Sequence, residues 1–138
     1  MNSKTEQRGS KNDMLKMIFC VRKKKGLSDE EFFDYWLKSH GPLVASHTVS
    51  LNIKRYVQSH TVDGEFGHEV SAARGMKISG FDGIAEIWWD SRKELDLALQ
   101  TENGQAASAI LAEDEARFID MERSTIFFTE EHCVFQAP

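Results

Sequence analysis

An imidazole at His40, a phenol at Tyr56 and carboxylates at Asp82 and Glu86 are the side chains through which this sequence could do chemistry. The chain carries no Gly-rich phosphate loop, no G-x-S-x-G elbow, no H-x-H or H-E-x-x-H, and no C-x-x-C, so dinucleotide, metal and serine-nucleophile readings have no support. Its histidines, at 40, 47, 60, 68 and 132, lack the spacing of a metal site, and no metal or cofactor is expected. What remains suits proton transfer on a flat, apolar carbonyl or phenolic substrate, because imidazole titrates near neutrality. In this reading His40 removes or donates a proton beside a carbonyl and Tyr56 hydrogen-bonds the resulting enolate or phenolate oxygen. Glu86 or Asp82 orients the imidazole. Trp36, Trp88 and Phe118 wall the ring system, with Gln58 and His60 sharing the Tyr56 face of a strand. Ordinary core packing is the alternative for the three aromatics. The alternative function is a non-catalytic dimeric carrier or stress protein that holds an apolar metabolite in the same cavity.

These residues need elements to position them. In the stretch FFDYWLKSHGPLV, residues 32–44, Phe33, Trp36 and His40 are spaced i, i+3 and i+7, which puts the imidazole on one helical stripe with two aromatics. Gly41-Pro42 should stop or kink the helix just after His40, and Pro42 can open a second short piece to about His47. His40 then lies in an elbow, although a core histidine bonded to carbonyls is the plainer reading. Ser28-Asp29-Glu30-Glu31 has the form of a capping box and starts the helix.

Strands surround it. Leu15–Val21 (LKMIFCV) is apolar on both alternating faces, as a covered central strand is, and the basic run Arg22–Lys25 ending in Gly26 reads as a solvated turn. Leu51–His60 alternates, with Lys54, Tyr56, Gln58 and His60 on the face that suits a cavity wall. Thr61–Gly80 reads as a long loop with an exposed His68. Phe81–Trp89 (FDGIAEIWW) places Asp82, Ile84, Glu86 and Trp88 on one face, so Glu86 must meet a base, line a cavity or protonate. Ser91 caps a helix through Leu99, Asn103-Gly104 breaks it, and Gln105 to about Ala116 resumes it. Glu122–Thr129 is the last strand and Glu130–Pro138 a closing arm.

At 138 residues, with 41% hydrophobic and 28% charged residues, the chain fits one soluble domain, residues 14–138, behind a disordered polar tail, residues 1–13. No apolar run approaches the roughly 18 residues of a membrane span, and no secretory signal opens the sequence, so a cytoplasmic protein with no membrane partner is expected. Cys20 and Cys133 read as free thiols. A net charge of −5 argues against nucleic acid as a partner.

The order strand, helix, strand, strand, helix, strand is the βαββαβ pattern of an α+β, ferredoxin-like protomer: a four-stranded antiparallel sheet with helices on one face. Both faces of the first and third strands read apolar, so a second copy of the chain should cover the open face as a homodimer. The segments SDEEFFDY and WLKSHGPLV, RYVQSH, FDGIAEIWW, DEARFID and TEEH, in order from about Leu15 to His132, also resemble the EthD family of the dimeric α/β-barrel superfamily. The resemblance implies a dimeric α/β barrel with sheets paired face to face and a pocket between helices and sheet in each protomer. Relatives include cofactor-free polyketide cyclases, anthrone-type monooxygenases, heme-degrading enzymes and small stress proteins. It therefore implies a cofactor-free oxidoreductase, lyase or cyclase acting on a small polyketide-like or aromatic molecule.

Overall fold

The computed structural model describes residues 14–62, 64–77 and 80–138; the expected tail at residues 1–13 lies outside them. Four strands, β1 (Leu15–Val21), β2 (Arg55–His60), β3 (Gly83–Trp89) and β4 (Thr125–Thr129), form one sheet in the order β2-β3-β1-β4. Every pair is antiparallel. The two most apolar strands are the central ones, paired along both edges by the protein's own strands. The register places Phe19 opposite Ala85 and Ile126, and Gln58 opposite Ala85, so one sheet face carries Met17, Phe19, Val21, Tyr56, Ala85, Ile87 and Phe128. That face meets the helices. The opposite face carries Lys16, Ile18, Cys20, Ile84, Glu86, Trp88 and Phe127, and the helices that supply the core pack on the first face. This is the expected α+β, ferredoxin-like architecture.

Helix α1 (Asp29–Tyr35) begins at the expected capping box, with Ser28 Oγ accepting from the Glu31 amide and the Glu31 carboxylate accepting from the Ser28 amide. It does not stop at Gly41-Pro42. One π-turn, Trp36–His40, carries it into α2 (Gly41–Ser46), and the Gly41 amide donates to the Trp36 carbonyl. Pro42 has no amide to offer Lys38, and its ring would crowd that carbonyl in an α-turn. Widening the preceding turn by one residue absorbs the conflict without a break.

Two further expectations need correction. The stretch Thr61–Gly80 is not simply a loop, because helix α3 (Gly64–Ala73) occupies half of it, although His68 on it is exposed. Its glycines and weak amphipathicity concealed the helix, and α3 buries none of its side chains. The later helix breaks earlier than Asn103-Gly104: α4 (Arg92–Leu99) ends at Gln100, and Thr101 caps α5 (Glu102–Glu115) by accepting from the Gly104 amide. Gly104 sits inside the first turn because any Cβ there would overlap the Ala98 carbonyl. The glycine is a packing requirement and not a helix breaker.

Two apolar clusters join helices to sheet. Phe19, Val21, Ala85, Phe32, Trp36, Phe118 and Ile119 form one, and Val44, Leu51, Ile53, Trp89, Leu95, Ala107 and Leu111 form the other. Tyr56 packs against both. At Gly83 the Trp36 ring lies directly on the strand backbone, where a Cβ would collide with ring and with the Ser59 carbonyl. Among the described residues no helix is long and apolar enough to cross a membrane.

Candidate active site

A cavity of about 250 Å³ occupies the seam between the two clusters. Its walls are apolar, from Phe19, Trp36, Val44, Trp89, Leu111 and Phe128 among others, and its polar groups are His40, Tyr56, Ser108 and Glu115. His40 comes from the last residue of the π-turn and is 4% exposed. Its Nδ1 lies 2.7 Å from Asp114 Oδ2, and Asp114 Oδ1 accepts from the Tyr35 hydroxyl at 2.6 Å. A carboxylate at Nδ1 fixes the proton there, so Nε2 carries the lone pair. Nε2 lies 4.0 Å from Glu115 Oε2, with both residues on the cavity wall.

Burial pulls the His40 pKa below its usual value, outweighing the upward pull of Asp114, so the ring is neutral at neutral pH. Burial pushes the Asp114 carboxyl upward, but hydrogen bonds from Tyr35 and His40 outweigh it and hold the group below the usual range. Glu115 has no such support. Burial, with the neighbouring Asp114 charge, raises it to about 7. One of two adjacent carboxylates is thus kept ionised behind the imidazole and the other is half-protonated in front of it.

Tyr56 reaches the same cavity from β2. Its hydroxyl accepts from Gln58 Nε2 at 2.7 Å, the other Nε2 proton goes to the Trp36 carbonyl at 2.8 Å, and Gln58 Oε1 pairs with His60 Nε2 at 2.8 Å. The His60 ring is stacked on Trp36 and Phe33, at centroid distances of 4.6 and 4.9 Å. Gln58 and His60, expected to touch substrate, therefore form a rigid brace outside the cavity lining. The brace uses the Tyr56 oxygen as acceptor and leaves its proton to donate into the cavity. Burial raises the Tyr56 pKa, which keeps the phenol protonated.

Of the other expected residues, Trp36 lines the cavity as anticipated. Glu86 does not orient His40: it points to the sheet face away from the core helices and pairs with Lys16 at 2.7 Å. Asp82 does not either, since it accepts from the Lys23 amide at 2.7 Å at the far end of β3. Trp88 shares the Glu86 face, held between Lys16 and Arg55 with its indole donating to Glu131, and is not part of this cavity's lining. Phe118 is core, packed behind His40 at 5.0 Å and against Phe32 and Tyr35. The sequence reading missed Asp114, Glu115, Ser108 and Tyr35. Asp114 and Glu115 open the DEARFID segment and Tyr35 closes SDEEFFDY, both quoted above for the family resemblance, but neither segment marked these side chains as chemical groups. Among the described residues no three His, Cys, Asp or Glu side chains converge as metal ligands would.

A family model described as the EthD domain matches residues 24–122. No curated protein matches the chain in sequence. Among solved structures, an EthD family protein from Bacillus halodurans C-125 is similar with a TM-score of 0.58 at 17% identity, over 86% of this chain and 99% of that one. A hydroxynitrile lyase from Passiflora edulis is similar with a TM-score of 0.57 at 13% identity, over 91% and 99%. A protein from Bacteroides fragilis NCTC 9343, described as dimeric and ferredoxin-like, has a TM-score of 0.54 at 10% identity, over 86% and 97%. At such identities the likeness is one of fold.

Proposed function

This chain belongs to the EthD family of the dimeric α/β-barrel superfamily, and from its site we propose that it is a cofactor-free enzyme moving protons on a flat, apolar carbonyl or phenolic small molecule. The observation that carries the reading is His40: Asp114 holds its Nδ1 at 2.7 Å while the ring borders an apolar cavity beside Glu115. A neutral imidazole with a fixed tautomer is a ready base. Nε2 takes the proton from the carbon beside the carbonyl, Asp114 stabilises the imidazolium that forms, and Tyr56 donates a hydrogen bond to the enolate oxygen. Trp36 and Trp89 supply flat walls for a ring. Cyclisation, decarboxylation or oxygenation would each begin from that enolate.

The absence of a cofactor motif supports chemistry carried by side chains alone. We propose further that the working form is a homodimer, on the apolar sheet face away from the core helices and the dimeric ferredoxin-like protein noted above. The free thiols Cys20 and Cys133 suit a reducing compartment such as the cytoplasm.

The test is His40→Asn, with unfolding, ligand affinity and product formation measured on one preparation against a panel of flat phenols and aryl ketones. Turnover should fall by roughly two to four orders of magnitude, the usual worth of a general base, while the variant stays folded. Undiminished turnover per folded molecule would falsify the assignment and favour a carrier.

A further inference from the structure

Glu115 has no role in the reaction as drawn so far. Its carboxyl group sits on the last turn of α5, on a side chain that is 21% exposed and makes no hydrogen bond among the described residues. It is not a structural ion-pair partner, because no lysine or arginine lines the cavity among the described residues. Its side chain instead faces His40 Nε2 at 4.0 Å across the polar end of the cavity. The titratable groups around the pair are Asp114 and Tyr35 behind the imidazole, Arg117 at 3.9 Å from Asp114, and Tyr56 from the sheet.

Resting on the reading of His40 as base, we infer that Glu115 is the acid of the site, and that the pair selects neutral, enolisable carbonyl compounds. The separation suits a substrate lying over both groups, since a carbonyl oxygen and the hydrogen-bearing carbon beside it are only two bonds apart. As Nε2 takes the proton from that carbon, the C–H electron pair becomes the C=C bond and the carbonyl π pair moves to oxygen, which takes the Glu115 proton. The enol leaves imidazolium and carboxylate facing each other; on reversal the enol O–H proton returns to Glu115 while Nε2 delivers its proton to carbon, a deuteron once Nε2–H has exchanged with D2O, and the resting pair is restored. A carbonyl oxygen has two lone pairs, so Tyr56 can donate to the one Glu115 does not use. Specificity follows from the same charges. Glu115 stands at the polar end with Asp114 behind the imidazole, and among the described residues no lysine or arginine lines the cavity to balance a ligand carboxylate, so anionic substrates are disfavoured.

Deuterium uptake by 1-indanone in D2O, followed by NMR, tests this. The full-length wild-type protein should catalyse exchange at the carbon beside the carbonyl, with a rate that falls as pH rises through about 7, where Glu115 ionises. Glu115→Gln should cut the rate at least about 100-fold on the acid side and remove that limb of the profile. Its melting temperature should not fall, because the change removes a buried ionisable group. 1-Indanone should also bind wild type, whereas a ring-carboxylated analogue should not. A Glu115→Gln variant with the wild-type rate and pH profile would overturn the acid assignment while leaving His40 standing. Wild type without exchange above background, or His40→Asn with exchange intact, would overturn the base reading and this inference together. Equal binding of the carboxylated analogue would overturn the selectivity.

Discussion

Glu115 ties site chemistry to stability. Between its ordinary value of 4.5 and about 7 the folded chain keeps a proton that the unfolded chain has released, so stability falls as pH rises through that window. Above it the full cost of the buried charge, about 3 kcal/mol, is present. Glu115→Gln should therefore raise stability by up to that amount near pH 8 and change it little near pH 4, in urea unfolding followed across pH. His40 works the other way, because its folded pKa is depressed: stability rises with pH between its folded value and 6.5. Asp114→Asn should be costly for activity, since an asparagine oxygen can accept from Tyr35 but an asparagine nitrogen can equally offer a proton to Nδ1 and reverse the tautomer. A loss of roughly 100-fold in turnover, with substrate affinity nearly kept, is the expected result. At this scale the sequence exposed His40 and Tyr56 because imidazole and phenol are rare and sit beside recognisable breaks. It hid Asp114 and Glu115 because carboxylates in helices are usually solvated, and nothing local distinguishes these two.

Among the elements, the π-turn accounts for the rest of what was missed. Tyr35 and His40 are five residues apart, which on an ideal α-helix sets them about 140° around the axis from each other. In the structure both reach Asp114, because the wide turn Trp36–His40 brings positions five apart close to alignment. The expected stripe of Phe33, Trp36 and His40 splits for the same reason: Phe33 stacks on His60, whereas His40 packs on Phe118. Strand faces, by contrast, were legible, since a strict period of two needs no correction from a distant proline. Tyr56, Gln58 and His60 share one face, which does meet the helices as expected, and Glu86 and Trp88 share the other; only for β3 was the face that meets the helices misjudged. The contact between Trp36 and the β3 backbone gives a test of how tightly π-turn and sheet are coupled. Gly83→Ala should force the indole off the strand and destabilise the fold by about 1–3 kcal/mol, as overpacking does. Measured by thermal unfolding, an unchanged melting temperature would show that the π-turn moves freely against β3.

For the whole molecule, the sequence predicted the βαββαβ order and the sheet, because each strand is short, strongly patterned and bounded by charge or glycine. It could not place the polar cluster that occupies the face away from the core helices. There Lys16 lies 2.7 Å from Glu86 and 3.3 Å from Glu131, and the Trp88 ring lies between Lys16 and Arg55. Burial lowers the Lys16 pKa, but both carboxylates outweigh it and raise the group overall, so the cluster is charged and internally paired. Ile18, Ile84 and Phe127 share this face, and Phe127 is 47% exposed. A second copy laid sheet to sheet would cover the apolar residues and meet a polar centre whose charges are already satisfied, which removes the usual penalty for burying them. Phe127 is the residue to change. Its side chain makes the edge of this face apolar without reaching the cavity, so Phe127→Asp should convert the dimer to a folded monomer in light scattering at micromolar concentration. The wild-type melting temperature should rise with protein concentration and that of the variant should not, by mass action. A wild-type monomer at that concentration would overturn the dimer, and a Phe127→Asp protein that stays dimeric would place the interface elsewhere.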